Sequence, residues 1–80
     1  MLASDMRYHY TQHIKQRMIE RNLASQEIEE TVSYPDDARR SREGRHLARK
    51  RFRGKILEVI YALRGKDIIL ITAYWLKEGS

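Results

Sequence analysis

The single proline, Pro35, divides the chain into two halves whose apolar residues repeat with different periods. Upstream of Tyr34-Pro35-Asp36-Asp37, the residues Tyr10, Ile14 and Met18 recur every four positions. That is the stripe of an amphipathic helix, expected over about residues 11–22 with Thr11 as its N-cap. Asn22-Leu23-Ala24 interrupts it. Ser25 is expected to cap a second, shorter helix that carries Glu27, Glu29 and Glu30 in its early turns, where carboxylates suit the helix dipole. Ile28 and Val32 give this helix its apolar side. The proline then stops it, because the residue before a proline is disfavoured in helical conformation.

Downstream of Pro35 the periods are those of strands. An arginine-rich first strand is expected near residues 38–42, a second over His46–Phe52, a third over Ile56–Leu63 and a fourth over Ile68–Trp75. Glu43-Gly44, Arg53-Gly54-Lys55 and Arg64–Asp67 are the turns between them. Two helices followed by four strands predict one α+β domain, with both N-terminal helices packed on one face of a four-stranded antiparallel meander. In the third strand Leu57, Val59, Tyr61 and Leu63 should meet the helices. A hairpin of even loop length then puts Arg49, Arg51 and Arg53 on the other side, with Glu58. For the last turn, a three-residue loop over Arg64–Lys66 places Thr72 and Tyr74 beside Glu58 and sends Ile69, Ile71, Ala73 and Trp75 to the core. A two- or four-residue loop buries Thr72 and Tyr74 under the helices instead. The three-residue loop is the expectation, because it gives the core the wholly apolar set.

Composition removes whole classes of function. The 80 residues include no cysteine, which excludes a disulfide scaffold and a thiolate metal site and fits a reducing cytoplasm. No apolar run, Ile68–Ile71 included, is long enough to span a bilayer, and Met1–Asp5 is expected to be no secretory signal, lacking its basic and apolar regions. No membrane partner is expected. The net charge of +5 is unevenly spread. Between Asp37 and Lys55 nine Lys/Arg face two acids, whereas the remainder holds seven Lys/Arg and nine Asp/Glu. A block of this kind attracts polyanions, nucleic acid foremost, although a solvated charged face is the plainer alternative.

Few residues remain that can do chemistry. His13, Arg17 and Arg21 step by four along one side of the first helix. A neutral imidazole can accept a proton, and Arg17 with the free N–H groups of the first turn can hold a phosphate. Equally, Arg17 and Arg21 can simply pair with Glu20 or with carboxylates of the second helix. His9 and His13 have the spacing of two metal ligands, but no third is evident, and no cofactor is expected. What is left suits metal-free cleavage of RNA: a base for the ribose 2′-OH, guanidinium groups for the charge on phosphorus, and an acid for the departing 5′-oxygen. Glu58 is an alternative base, or else a cross-strand ion pair with Arg49 or Arg51.

The run His13-Ile-Lys-Gln-Arg17-Met18-Ile-Glu-Arg21-Asn-Leu23, followed by Ser25, Ile28, Tyr34-Pro35 and the closing Ile71-Thr72-Ala73-Tyr74, resembles a family of small bacterial domains. Their pattern is H-A-x-x-R-M-x-x-R-G-I with a last strand V-T-V-Y. That family is similar to the RelE/ParE superfamily of toxin–antitoxin toxins. The resemblance implies a RelE-like fold and a metal-independent endoribonuclease toxin, a cytoplasmic hydrolase acting on single-stranded RNA such as messenger RNA and restrained by an antitoxin. By position it marks His13, Arg17, Arg21, a basic residue of the second strand for which Arg51 is chosen, Thr72 and Tyr74; Glu58 stands beside them as the alternative base read from the sheet alternation. Arg21, Arg39, Arg40, Arg45, Arg49, Lys50 and Arg53 are the expected RNA contacts. A non-catalytic module binding nucleic acid or protein on the same fold is the alternative, and pairing of two copies through an exposed strand edge is a further possibility.

Overall fold

Residues 6–41 and 43–77 are described by a computed structural model of the chain. The segment read for a secretory signal and Arg42, at the end of the expected first strand, lie outside them. The elements are β1 (Arg7–Tyr10), α1 (Gln12–Glu20), α2 (Ser25–Ser33), β2 (Asp37–Arg40), β3 (Arg45–Phe52), β4 (Lys55–Arg64) and β5 (Asp67–Lys77).

Both helices form where the apolar spacing places them. Thr11 caps α1, its Oγ1 accepting from the Ile14 N–H at 3.3 Å. The second helix starts one position earlier than expected, with Ala24 as N-cap. The Ala24 N–H donates to Glu27 Oε1 at 3.0 Å, half of a capping box. Asn22 turns the chain between the helices at φ 53, a left-handed conformation that Asn tolerates.

The four-stranded antiparallel meander is corrected by the sheet itself, which is five-stranded and mixed, in the order β1-β5-β4-β3-β2. β2 to β5 form an antiparallel meander. β1 precedes both helices and pairs parallel with β5, Tyr8 beside Ile68 and Tyr10 beside Leu70. Tyr10 is thus the last residue of a strand and not the first of a helical stripe. The physical reason lies in Arg7-Tyr8-His9-Tyr10, whose alternation turns both aromatic rings to the core. Their hydroxyls find partners on α2: Tyr8 meets Ser33 Oγ at 2.6 Å, and Tyr10 donates to Glu29. Burial, followed by the bond to Glu29, pushes the Tyr10 hydroxyl well above the usual tyrosine range.

The helices cover one face of the sheet. Ile14, Leu23, Ile28 and Val32 pack there on Ala48, Leu57, Val59, Tyr61, Ile68, Leu70 and Ala73. Arg64 pairs with Asp67, so the last turn is the two-residue Gly65-Lys66 and not the expected three-residue loop. Alone, that turn would bury Thr72 and Tyr74 under the helices. A bulge that adds Ile71 to β5 opposite the Ile60–Tyr61 step reverses the alternation. Ile68 and Leu70 face the helices before it, and Ala73 and Trp75 after it. Ile69 and Ile71 lose the core places expected for them, while Thr72 and Tyr74 emerge beside Ile60 and Glu58. Thr11 Oγ1 donates to the Leu70 carbonyl at 2.8 Å and lies 3.4 Å from that of Ile71, so the cap of α1 also ties down the bulge. Among the described residues no helix is long and apolar enough to cross a membrane.

Candidate nucleic-acid interface

The sheet face away from the helices is assembled in rows. Asp37, Arg49, Glu58 and Tyr74 lie side by side across β2, β3, β4 and β5. Arg39, Leu47, Ile60 and Thr72 form the next row, and Arg51, Ile56 and Leu76 flank the other side. Strand alternation therefore gathers Arg7, Arg39, Arg45, Arg49, Arg51 and Arg64 on one face against the carboxyls of Asp37, Glu58 and Asp67.

Glu58 sits at the centre. Only 2% of it is exposed, and its Oε1 accepts from Arg49 Nε at 2.6 Å. Buried carboxylates need such a partner. Of the two roles expected for Glu58, the structure builds the cross-strand ion pair, with Arg49 as partner and not Arg51. The carboxylate is out of reach of a ribose hydroxyl, whereas the guanidinium it orients is about one third exposed. Two depressions flank this row. One, of about 360 Å³, lies between Asp36, Asp37, Arg49, Lys50, Arg51 and Ile56. The other, of about 400 Å³, is lined by Ser41, Glu43, Arg45, His46, Leu47 and Ile60. At the first, the Arg51 N–H donates to Asp36 Oδ2 at 2.8 Å, which fixes the backbone under the arginines.

The expected site residues fall into two groups. Thr72, Tyr74, Glu58, Arg51, Arg39, Arg45 and Arg49 share the helix-free face. His13, Arg17 and Arg21 belong to the helix layer on the opposite face. His13 is exposed there and, among the described residues, makes no hydrogen bond, ion pair or ring contact with Thr72 or Tyr74. Arg17 pairs with Glu20 at 2.8 Å, as the plainer reading of that side chain foresaw. Gln16 and then Arg17 hold the Glu20 carboxyl below the usual carboxylate range. Alternation also turns Arg40 and Lys50 away from the arginine face. Lys50 Nζ donates to the Tyr34 carbonyl at 3.0 Å, closing the end of α2. Arg53 stands in the β3–β4 turn.

Two members of the face escaped the sequence reading because β1 did. Arg7 and His9 project to the side of Asp67, which accepts from His9 Nε2 at 2.9 Å and lies 3.2 Å from Arg7 Nε. The His9 hydrogen bond is the chief reason that the Asp67 carboxyl lies below its ordinary range. His9 is thereby committed to Asp67 and not to a metal pair with His13. Among the described residues no three His, Asp or Glu side chains gather as ligands. The alternation of polar and aromatic residues in Arg7-Tyr8-His9-Tyr10 was the available signal.

No curated protein and no solved structure matches this sequence. A family of domains described as a domain of unknown function, DUF4258, matches residues 10–75, from the end of β1 through both helices and the meander to Trp75. Since that match spans most of the chain, the protein is a member of the DUF4258 family.

Proposed function

We propose that the helix-free face of the sheet binds single-stranded RNA, its arginines gripping the phosphodiester backbone and Tyr74 offering a ring to an unpaired base. The observation that supports this most is the convergence of Arg39, Arg45, Arg49 and Arg51 on one face, with two depressions between them and Arg49 held by Glu58. Guanidinium forks match pairs of phosphate oxygens, and one already oriented by a buried carboxylate loses little freedom on binding. A cytoplasmic location belongs to this reading.

Metal-independent cleavage of the bound RNA, as in a toxin of the RelE type restrained by an antitoxin, is a second reading. It is favoured by the placement of Thr72 and Tyr74 in the same rows as the arginines. A phosphate held by Arg49 would lie beside hydroxyl groups. Attack of the ribose 2′-OH on phosphorus would release its proton, break the bond to the 5′-oxygen and leave a 2′,3′-cyclic phosphate, the 5′-oxygen taking up a proton.

The experiment is a titration of labelled single-stranded RNA in EDTA at several salt concentrations, with the products resolved on a gel. Binding should weaken steeply with salt, and Arg45→Gln with Arg51→Gln should lower affinity at least tenfold in a protein that still melts cooperatively. Products ending in cyclic phosphate establish the second reading, and intact bound RNA leaves the first alone. Absence of binding by folded protein at low salt rejects both.

A further inference from the structure

On the opposite side of the molecule a cleft of about 590 Å³ opens between the α1–α2 connection and the β3–β4 turn. Its walls are Arg21, Glu27, Phe52, Arg53, Lys55 and Trp75, with Asn22 at the rim. Phe52 meets Trp75 edge-on, 6.0 Å between centroids at 89°, and Lys55 Nζ lies 5.9 Å from the indole centroid. The indole is thus braced by one ring and presents its face to a flexible, exposed side chain.

We infer that this cleft binds a nucleotide, the base against Trp75 and the phosphate among Arg21, Arg53 and Lys55. Its volume lies in the range of small-molecule sites. Among the described residues the three cationic side chains make no hydrogen bond or ion pair; Lys55 rests on the indole and Arg21 acts on the Glu20 carboxyl only through its charge, so their N–H donors can turn to an anion. Lys55 leaves a cation–π contact for a phosphate and exposes the indole face to a planar ring. Glu27 spends Oε1 on the Ala24 N–H, which leaves Oε2 for a ribose hydroxyl or a base amine. Arg53 adds a second kind of observation. It stands at φ 47 in the two-residue turn Arg53-Gly54, a left-handed position where Asn or Gly carries less backbone penalty. The arginine is unfavourable for the turn and favourable for an anion.

Trp75 is the only tryptophan of the chain, so its emission reports this cleft and not the arginine face. Titration with AMP should quench it saturably with half-saturation at or below about 1 mM. Adenosine should bind at least tenfold more weakly. Arg53→Asn should weaken AMP binding at least tenfold at an equal or higher melting temperature, a combination that a purely structural arginine does not produce. A 5′-phosphorylated triribonucleotide separates two sources of the same chemistry. Binding stronger than that of AMP identifies the end of an RNA strand, and equal binding identifies a free nucleotide. No saturable change at millimolar AMP, or an Arg53→Asn protein that binds AMP as the parent does, overturns the inference. Arg45→Gln with Arg51→Gln should leave AMP binding intact, so loss of RNA binding on the sheet and loss of nucleotide binding in the cleft are read separately.

Discussion

Glu58 shows how one residue can pass from candidate base to scaffold. Its place opposite Arg49 follows from the two-residue turn Arg53-Gly54, which pairs Phe52 with Lys55 and carries the register back to Arg49 and Glu58. The shared face and the choice between ion pair and base were legible in the sequence, whereas the turn, and with it the choice of Arg49 over Arg51, was not. Burial decided between them, and burial depends on neighbouring strands that no local pattern specifies. A buried carboxylate stripped of its cation is left uncompensated, whereas an apolar pair of similar size restores packing. Arg49→Met should therefore cost about 2–4 kcal/mol, and adding Glu58→Leu should return most of that loss, a pattern urea melts of the single and double variants will show. If the double variant is as unstable as the sum of both single changes, the pair is not coupled and Glu58 is buried for another reason.

At the scale of elements, the two helices and the four strands of the meander were readable because each carries its own period and its own punctuation. β1 was not. Its polar–aromatic alternation runs for only four residues, and its parallel partner lies at the far end of the chain, so nothing local announces the pairing. The bulge at Ile71 was equally silent. The expectation that Thr72 and Tyr74 face Glu58 rested on a three-residue turn, and the chain reaches that arrangement with a two-residue turn and an inserted residue instead. Thr11 was legible as the cap that accepts from the Ile14 N–H, but the bond its hydroxyl donates to the Leu70 carbonyl joins the silent features. Thr11→Val keeps the shape and removes both bonds, and should cost about 1–2 kcal/mol by chemical denaturation, while Thr11→Ser should be close to neutral. A loss in Thr11→Ser with none in Thr11→Val would instead assign the effect to the methyl group and its packing.

The whole molecule separates what the sequence pattern had gathered. Helical spacing put His13, Arg17 and Arg21 on one side of α1, and strand alternation put Thr72 and Tyr74 beside Glu58. The alternation of β4 had already set the helices against the Leu57 side, and the core agrees: Ile14 shares one cluster with Leu57, Leu70 and Ala73, so the imidazole belongs to the helix layer and the hydroxyls to the opposite face. The basic block divides in the same way. Arg39, Arg45, Arg49 and Arg51 reach the helix-free face, Arg40 and Lys50 the other, and Arg53 with Lys55 the cleft beside Trp75. If the arginine face alone carries RNA binding, His13→Ala must leave both the affinity for single-stranded RNA and its salt dependence unchanged. Removal of the Arg45 and Arg51 charges should flatten the slope of log K against log salt by about 0.7 for each phosphate that is no longer neutralised. Competition binding across a salt series measures both quantities at once. A His13→Ala protein that binds RNA normally but no longer cuts it would place the helix layer in the chemistry, and the RNA would then have to pass around the edge of β5 beyond Leu70, where the pairing with β1 ends.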